Sequence, residues 1–432
     1  MNYPDSFNGE GVPHELAVAQ TASTTPAVQF EFPRLPETPP FPEPGIYFDM
    51  PDLVYFAVPA LSASGVKMLA QSPMVFWVNS WMNPEKVIEE KDHHIFGHAF
   101  HCRLLEGASV FAMRYCMEIS KSDYSIVLES TDEIKDYISK QTWELPIAAT
   151  DDTPATTRTM HHKPVSRVEE DDGNGGVRKR AAKKDDWIAQ LLEIDPNAPL
   201  WSNLVEEYRA ENDGKTMLTA SQIKELEISA RMIERDEGIR KLAHGGYSEV
   251  SLFWHCPETG LPMKARVDKL KVKRMVDLKT IAENGRSMEN SIRQTIANYK
   301  YTIQPAVYIE GGAEVRKIVR ENGAAAIHVW PDKDGVIDAA REKEVTEYAL
   351  KWASHLLPDE WTWIFQQKGP APITRALHYQ AQSTMMMSND IVSLMKKRFI
   401  EYAGAFGIDP WLDIAAPYDV YDEDLLTYTT EI

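Results

Sequence analysis

A chain of 432 residues and 49.0 kDa allows two or three ordinary domains, or one large domain with appendages. At 43% hydrophobic and 26% charged residues its composition is globular, which excludes wholesale disorder, and a formal charge of −19 excludes a uniformly basic nucleic-acid coat while leaving room for a local basic site. The three cysteines, Cys102, Cys116 and Cys256, are odd in number and show no CxxC spacing, which excludes a disulfide framework and any zinc or iron–sulfur centre held by four thiolates.

Residues 1–45 are dense in proline, which sustains neither a helix nor an interior strand, so an extended, disordered leader is expected. The opening MNYPDSFNGE lacks a basic stretch followed by an apolar core, and no 18-residue apolar run occurs. The expectation is a soluble cytoplasmic protein without a membrane partner. Ser62 can cap a helix through Leu69, and Ser72-Pro73 opens another carrying Phe76, Trp77 and Trp81. Residues 95–106 show helical periodicity. The stretch 149–187 is polar with hardly any large apolar residue, and reads as a disordered insertion; its adjacent His161 and His162 read as solvated. A helix is expected near 201–211, and Thr219-Ala220-Ser221-Gln222 is a capping box opening a helix to about Arg240. Then the period shifts towards two. Tyr247–Trp254, Met263–Leu270 and Arg274–Thr280 read as three strands of a meander. A helix from about Ser287 to Ile309, interrupted or kinked at Pro305, precedes a buried strand at Ala324–Trp330 and a helix at Ala339–Leu357. Residues 401–432 hold eight acids and no Lys or Arg, an acidic tail. Helices, then antiparallel strands, then α-β-α argue α+β or mixed α/β architecture.

The chemistry concentrates in 247–308. Lys264, Arg266 and Asp268 alternate along one strand and share a face; Asp277 and Lys279 share a face of the next, with Val276 and Leu278 on the other. Carboxylates converging from two strands repel unless a cation joins them, and hard oxygen ligands select Mg²⁺ or Mn²⁺. Such an ion activates water and stabilises charge on a phosphate oxygen, with a lysine to orient the nucleophile. A solvated face with Asp–Lys pairs would give the same spacing. Gln304 and Tyr308, four apart, share a helix face; His101 lies on an apolar helix. Between 241 and 310 eleven basic side chains stand against seven acidic ones, a net of +4 that leaves −23 on the rest. Lys269, Lys271 and Lys273, in and beside the Lys-rich turn, and Arg266 are the candidate DNA contacts, an electrostatic funnel for phosphate.

The segment GGYSEVSLFWHCPETGLPMKARVDKLKVKRMVDLKT with YKYTIQPAVY resembles the RecE-type (exonuclease VIII-like) branch of the PD-(D/E)xK nuclease superfamily. Upstream, VPALSASGVKMLAQSP, IFGHAFHCRLLE and AENDGKTMLTA resemble the same branch. The resemblance implies a restriction-endonuclease-like α/β core over 46–400, with a central mixed sheet flanked by helices and added N-terminal helices. By it, His101, Asp268, Asp277 and the Leu278 carbonyl hold the metal, with Glu249 nearby. Lys279 is the catalytic lysine, and Gln304 and Tyr308 form a QxxxY motif facing substrate. Val267 replaces the proline of the motif's name. The implied activity is a Mg²⁺-dependent exonuclease on double-stranded DNA ends, in recombination or phage DNA processing, without an iron–sulfur cluster. An oligomer and a single-strand-annealing partner are implied as well. An endonuclease of the same fold, or a silent DNA-binding or interaction module, are the alternatives.

Overall fold

The computed structural model describes residues 33–86, 92–147, 155–171, 176–332, 334–369 and 372–412. The first 32 residues of the expected leader and residues 413–432 of the expected acidic tail lie outside these; 33–44 carry no regular element, and 401–406 finish a helix. Two compact units emerge, one drawn from Met1–Glu89, His244–Phe365 and Arg375–Ile432, the other from Glu90–Ala243 and Gln366–Thr374.

The first unit is a mixed seven-stranded sheet flanked by helices. In chain order it comprises β1 (Gly45–Phe48), α1 (Asp52–Ala57), α2 (Ala63–Gln71), α3 (Pro73–Val78), β2 (Tyr247–His255), β3 (Pro262–Lys271) and β4 (Arg274–Ile281). There follow α4 (Met288–Asn298), α5 (Ile303–Asn322), β5 (Ile327–Val329), α6 (Ala339–Ala353), β6 (Glu360–Gln367), β7 (Thr374–His378) and α7 (Gln382–Phe406). The sheet order is β5-β1-β2-β3-β4-β6-β7. β1 pairs parallel with β5 and antiparallel with β2, and β2-β3-β4 form the antiparallel meander.

Stretches of β2 and β6 are buried on both faces because helices cover both. Leu252, Phe253 and Trp254 are fully buried in succession, as are Trp361 through Phe365 on β6. Ser62 caps α2 through its hydroxyl on the Gly65 N–H (3.2 Å), and Ser72 caps α3, with Pro73 in the first turn where its missing N–H costs nothing. The start of α2 is pinned to β3: Leu61 N–H donates to Pro262 O (3.0 Å) and Lys264 N–H to Leu61 O (3.1 Å). The helix expected from 287 to 309 is two helices joined by a turn at 299–302, with Pro305 in the first turn of α5.

In the second unit Thr131–Lys140 and Lys184–Ile194 pack around Ile134, Ile138 and Leu191, and Thr219 closes the expected capping box on Ala220–Arg235. The stretch expected to be a disordered insertion takes regular form over its described residues. Thr156–His161 pairs with Thr142–Ile147, and Arg167–Asp171 with Val177–Ala181, as two antiparallel ribbons. Backbone pairing holds both, cross-strand Glu–Arg and Glu–Lys contacts line the second, and Trp143, Leu145 and Ile147 lie exposed on one side of the first. Among the described residues no helix is long and apolar enough to cross a membrane.

Candidate metal centre

Three neighbouring strands each deliver one carboxylate to the same level of the sheet. Ser248 pairs with Lys269 and Val250 with Val267, a register that sets Glu249 opposite Asp268. One carboxylate oxygen of each lies within 4.8 Å of the other. On the other side of β3, Arg274, Met275 and Val276 pair with Lys271, Leu270 and Lys269; continued by one residue, that register sets Asp277 opposite Asp268. There the Leu278 N–H donates to the Asp268 carboxylate (2.9 Å). The Leu278 side chain is buried in the core, as the alternation requires.

Like charges directly opposite across strands are destabilising. Glu249 moreover takes a left-handed backbone, φ +52°, inside a strand, a conformation that costs a non-glycine residue about 1 kcal/mol or more. Arg266 Nε offsets part of the repulsion at 3.4 Å from Glu249 Oε2. A row of hard oxygen donors held together against repulsion and strain suits a divalent cation such as Mg²⁺ or Mn²⁺, and contains no soft ligand that would favour another metal.

Asp277 is only 1% exposed. Lys279 Nζ lies 2.9 and 2.7 Å from its two oxygens, and Gln304 Nε2 donates to Oδ1. Burial alone would depress the Lys279 pKa, but the carboxylates of Asp277 and Asp268 outweigh it and raise it above that of a free lysine. Lys279 is therefore a fixed cation and donor rather than a base. Gln304 and Tyr308 share a face of α5, as four-residue spacing dictates. Burial, then the neighbouring Tyr55, Asp268 and Asp277, raise the Tyr308 phenol well above its ordinary pKa, so it stays protonated. Two glycines press α5 onto the sheet. A Cβ at Gly311 would lie 2.5 Å from the Trp254 indole, and one at Gly312 would lie 2.6 Å from Met275 and 2.8 Å from Asp359.

The expected basic funnel is corrected in part. Arg266 and Lys269 are buried and spent internally: Arg266 on Asp52 (2.8 Å), the Glu249 carbonyl (3.3 Å) and the Met50 carbonyl, Lys269 on Ser248 Oγ (2.9 Å). Lys264 likewise donates to the carbonyls of Tyr55 (2.9 Å), Phe56 (3.3 Å) and Val58 (2.7 Å). Lys264 and Arg266 thus fasten the α1 region to β3, and Lys269 ties β3 to β2, instead of facing a phosphate backbone. Lys271 is half-buried with its ammonium on the His244 carbonyl, and of the four expected DNA contacts Lys273 alone is exposed.

Sequence reasoning missed Lys67 and Tyr301. Lys67, on α2, lies 4.9 Å from the Tyr301 ring centroid, and Lys279 lies 5.3 Å from it. Burial, with the charge of Lys279, pushes the Lys67 pKa down to about 8, while Asp277 opposes the shift. The signal was a lone lysine in the short apolar helix SGVKMLAQ. Of the other expected residues, His101 is half-buried at the end of helix Asp92–His101 in the second unit.

Residues 184–329, about a third of the chain, match the family model described as "PDDEXK-like domain of unknown function (DUF3799)". The matched stretch contains Glu249, Asp268, Asp277, Lys279, Gln304 and Tyr308, and neither Lys67 nor His101. It is PDDEXK-like, in keeping with the superfamily the sequence resembles, and does not single out the RecE-type branch. Among solved structures the chain is similar to that of a protein from Eubacterium rectale inferred to be an exonuclease, 16% identical, covering 52% of this chain and 74% of that one, with a TM-score of 0.29. So loose a superposition carries no argument. No curated protein matches the chain.

Proposed function

We propose that the protein is a divalent-metal-dependent deoxyribonuclease, and specifically an exonuclease that works inward from the ends of double-stranded DNA. The observation that carries the reading is the row of Glu249, Asp268 and Asp277 on three consecutive strands with the Lys279 ammonium on Asp277. In this reading Glu249, Asp268, Asp277 and the Leu278 carbonyl would hold Mg²⁺, with Mn²⁺ as its substitute, and the sequence resemblance adds His101. The bound ion would lower the pKa of water and stabilise charge on the scissile phosphate. Lys279, held as an ammonium, orients the attacking water and balances charge developing on the phosphate oxygens. Gln304 fixes Asp277 in one rotamer through its amide, and Tyr308 donates from a phenol that does not ionise near neutrality. Lys273, exposed at the β3–β4 turn, and Lys271 beside it are left as contacts to the DNA backbone. The RecE-type branch, a role in recombination or phage DNA processing, an oligomeric state and an annealing partner follow from the resemblance.

The test is nucleotide release from end-labelled linear duplex and from covalently closed circles, in Mg²⁺, in Mn²⁺ and in EDTA. Linear duplex should be degraded in either metal and closed circles left intact. Asp277→Asn, which removes a metal-facing charge at constant volume, should lower the rate by on the order of 10²-fold or more. Nicking of closed circles would make the enzyme an endonuclease. Folded wild-type protein that binds DNA and releases nothing in either metal would leave a binding module.

A further inference from the structure

The turn between α4 and α5 closes as a Schellman motif. Tyr301 N–H donates to Ile296 O (3.0 Å) and Lys300 N–H to Ala297 O (3.2 Å). The residue at the left-handed position is usually glycine, yet here it is Lys300 at φ +49°, at a cost of roughly 1–2 kcal/mol. One consequence of the turn is that Tyr299 and Tyr301 come to the same side, with ring centroids 5.7 Å apart and planes within 24° of parallel. Tyr301 stacks in turn towards Phe365 at 6.4 Å and 29°. Tyr299 is 63% exposed, so the outermost ring of this array offers its surface to solvent. At the next ring inward, Lys67 and Lys279 bring two ammonium groups within 5.3 Å of the Tyr301 centroid. Lys279 is neutralised by Asp277; Lys67 rests on the ring.

An exposed aromatic face one stacked ring away from a cation is a pairing suited to a single nucleotide of any sequence, the ring for the base and the ammonium for its phosphate. We propose that Tyr299, backed by Tyr301, and Lys67 form a nucleotide subsite next to the metal-facing acids, stacking an unpaired base on Tyr299 and holding that nucleotide's phosphate at Lys67. The subsite rests on the nuclease reading for its place in a reaction, but its binding is measurable without cleavage. It would hold the frayed strand so that the adjoining phosphate reaches Lys279.

The experiment uses full-length protein and a duplex with a short single-stranded end carrying 2-aminopurine. Binding is followed by fluorescence in EDTA, and cleavage of the same probe in Mg²⁺. Wild type should quench the probe. Tyr299→Ala should lose the quench and weaken binding by about 5- to 150-fold, the range for removal of one stacking ring, and Tyr299→Phe should restore both. Lys67→Ala should weaken binding with the quench retained, and Lys67→Arg should recover most of the loss. In Mg²⁺ the losses should fall on KM more than on kcat. If wild type cleaves while Tyr299→Ala and Lys67→Ala bind and cleave as it does, the subsite is wrong and the nuclease reading stands. If the quench depends on Tyr299 but nothing is cleaved in Mg²⁺ or Mn²⁺, the subsite stands and the nuclease reading falls. Absence of binding by wild type overturns the subsite outright.

Discussion

Glu249 illustrates how a residue can work against its own element. It sits in a left-handed conformation within β2, opposite a second carboxylate and beside the Arg266 guanidinium. Such a group is kept at the expense of stability, and Glu249→Gln separates the two effects because it keeps the shape and the backbone while removing the charge. In EDTA the variant should melt no lower than wild type, since relief of the repulsion from Asp268 offsets the lost contact with Arg266. Mg²⁺ at ten times its Kd should raise wild-type stability by about 1.4 kcal/mol, and this increment should shrink in Glu249→Gln. An undiminished Mg²⁺ shift in calorimetry would remove Glu249 from the metal set. The acids and Lys279 are legible in the sequence because strand alternation is local: two-residue spacing fixes a shared face whatever packs on it. The fate of Lys264 and Arg266 is not legible. Whether a cation on that face meets solvent depends on α1, more than 200 positions away, whose carbonyls and Asp52 claim Lys264 and Arg266.

Packing between elements sets how accurately α5 presents Gln304 and Tyr308. Gly311 faces the fully buried Trp254, which cannot yield. Gly311→Ala should therefore destabilise the protein by about 1–3 kcal/mol, the usual cost of overpacking, even though alanine is the better helix former. Activity should fall beyond what lost folded protein explains, because the displaced helix carries both side chains; unchanged melting would mean that the helix slides freely. A second element-level effect is acid sensitivity at the β5-β1-β2 edge, where His328 stacks on Tyr47 at 4.2 Å and His255 meets Phe41 at 4.9 Å. Burial lowers both imidazole pKa values, with Glu43 opposing. Below the ordinary imidazole value of about 6.5 the unfolded chain then binds protons that the folded chain refuses. Stability should fall as pH drops through 6.5 towards the depressed folded values. Melting temperatures between pH 7.5 and 5.5 should decline, and His328→Phe should flatten the decline; equal slopes would acquit His328. The meander and the serine caps could be read in advance from alternation and capping chemistry. β1 could not, since four residues after a proline-rich stretch carry no period, and their place between β5 and β2 comes from distant partners.

At the scale of the whole molecule, one domain over 46–400 was the expectation, and two compact units, each assembled from separated stretches of chain, are what the fold contains. Composition misled most at 149–187. TTRTMH, RVEED and VRKRA lack an apolar face, so a search for apolar alternation passes over them, yet each takes its place in a ribbon through backbone hydrogen bonds. Two-stranded ribbons are marginal by themselves, and the Glu170–Arg178 and Glu169–Lys179 pairs along one of them are exposed contacts of small worth. Attachment to the rest of the second unit is limited. Arg180 pairs with Asp186 (2.5 Å), Trp187 Nε1 donates to the Val165 carbonyl (2.7 Å), and Gln190 bonds Lys163 and Val165. Among the described residues, no ribbon side chain belongs to the cluster of Ile134, Ile138 and Leu191. Replacing 142–182 with a short Gly/Ser bridge should therefore leave cooperative unfolding intact. Melting should fall by a few degrees at most, since shortening a loop also lowers its closure entropy. The sheet with its acids lies in the other unit, so cleavage of short linear duplex should persist in the deletion variant. Loss of cooperative unfolding would make the ribbons part of the folded core. A folded variant that no longer cleaves would give them a part in handling the substrate.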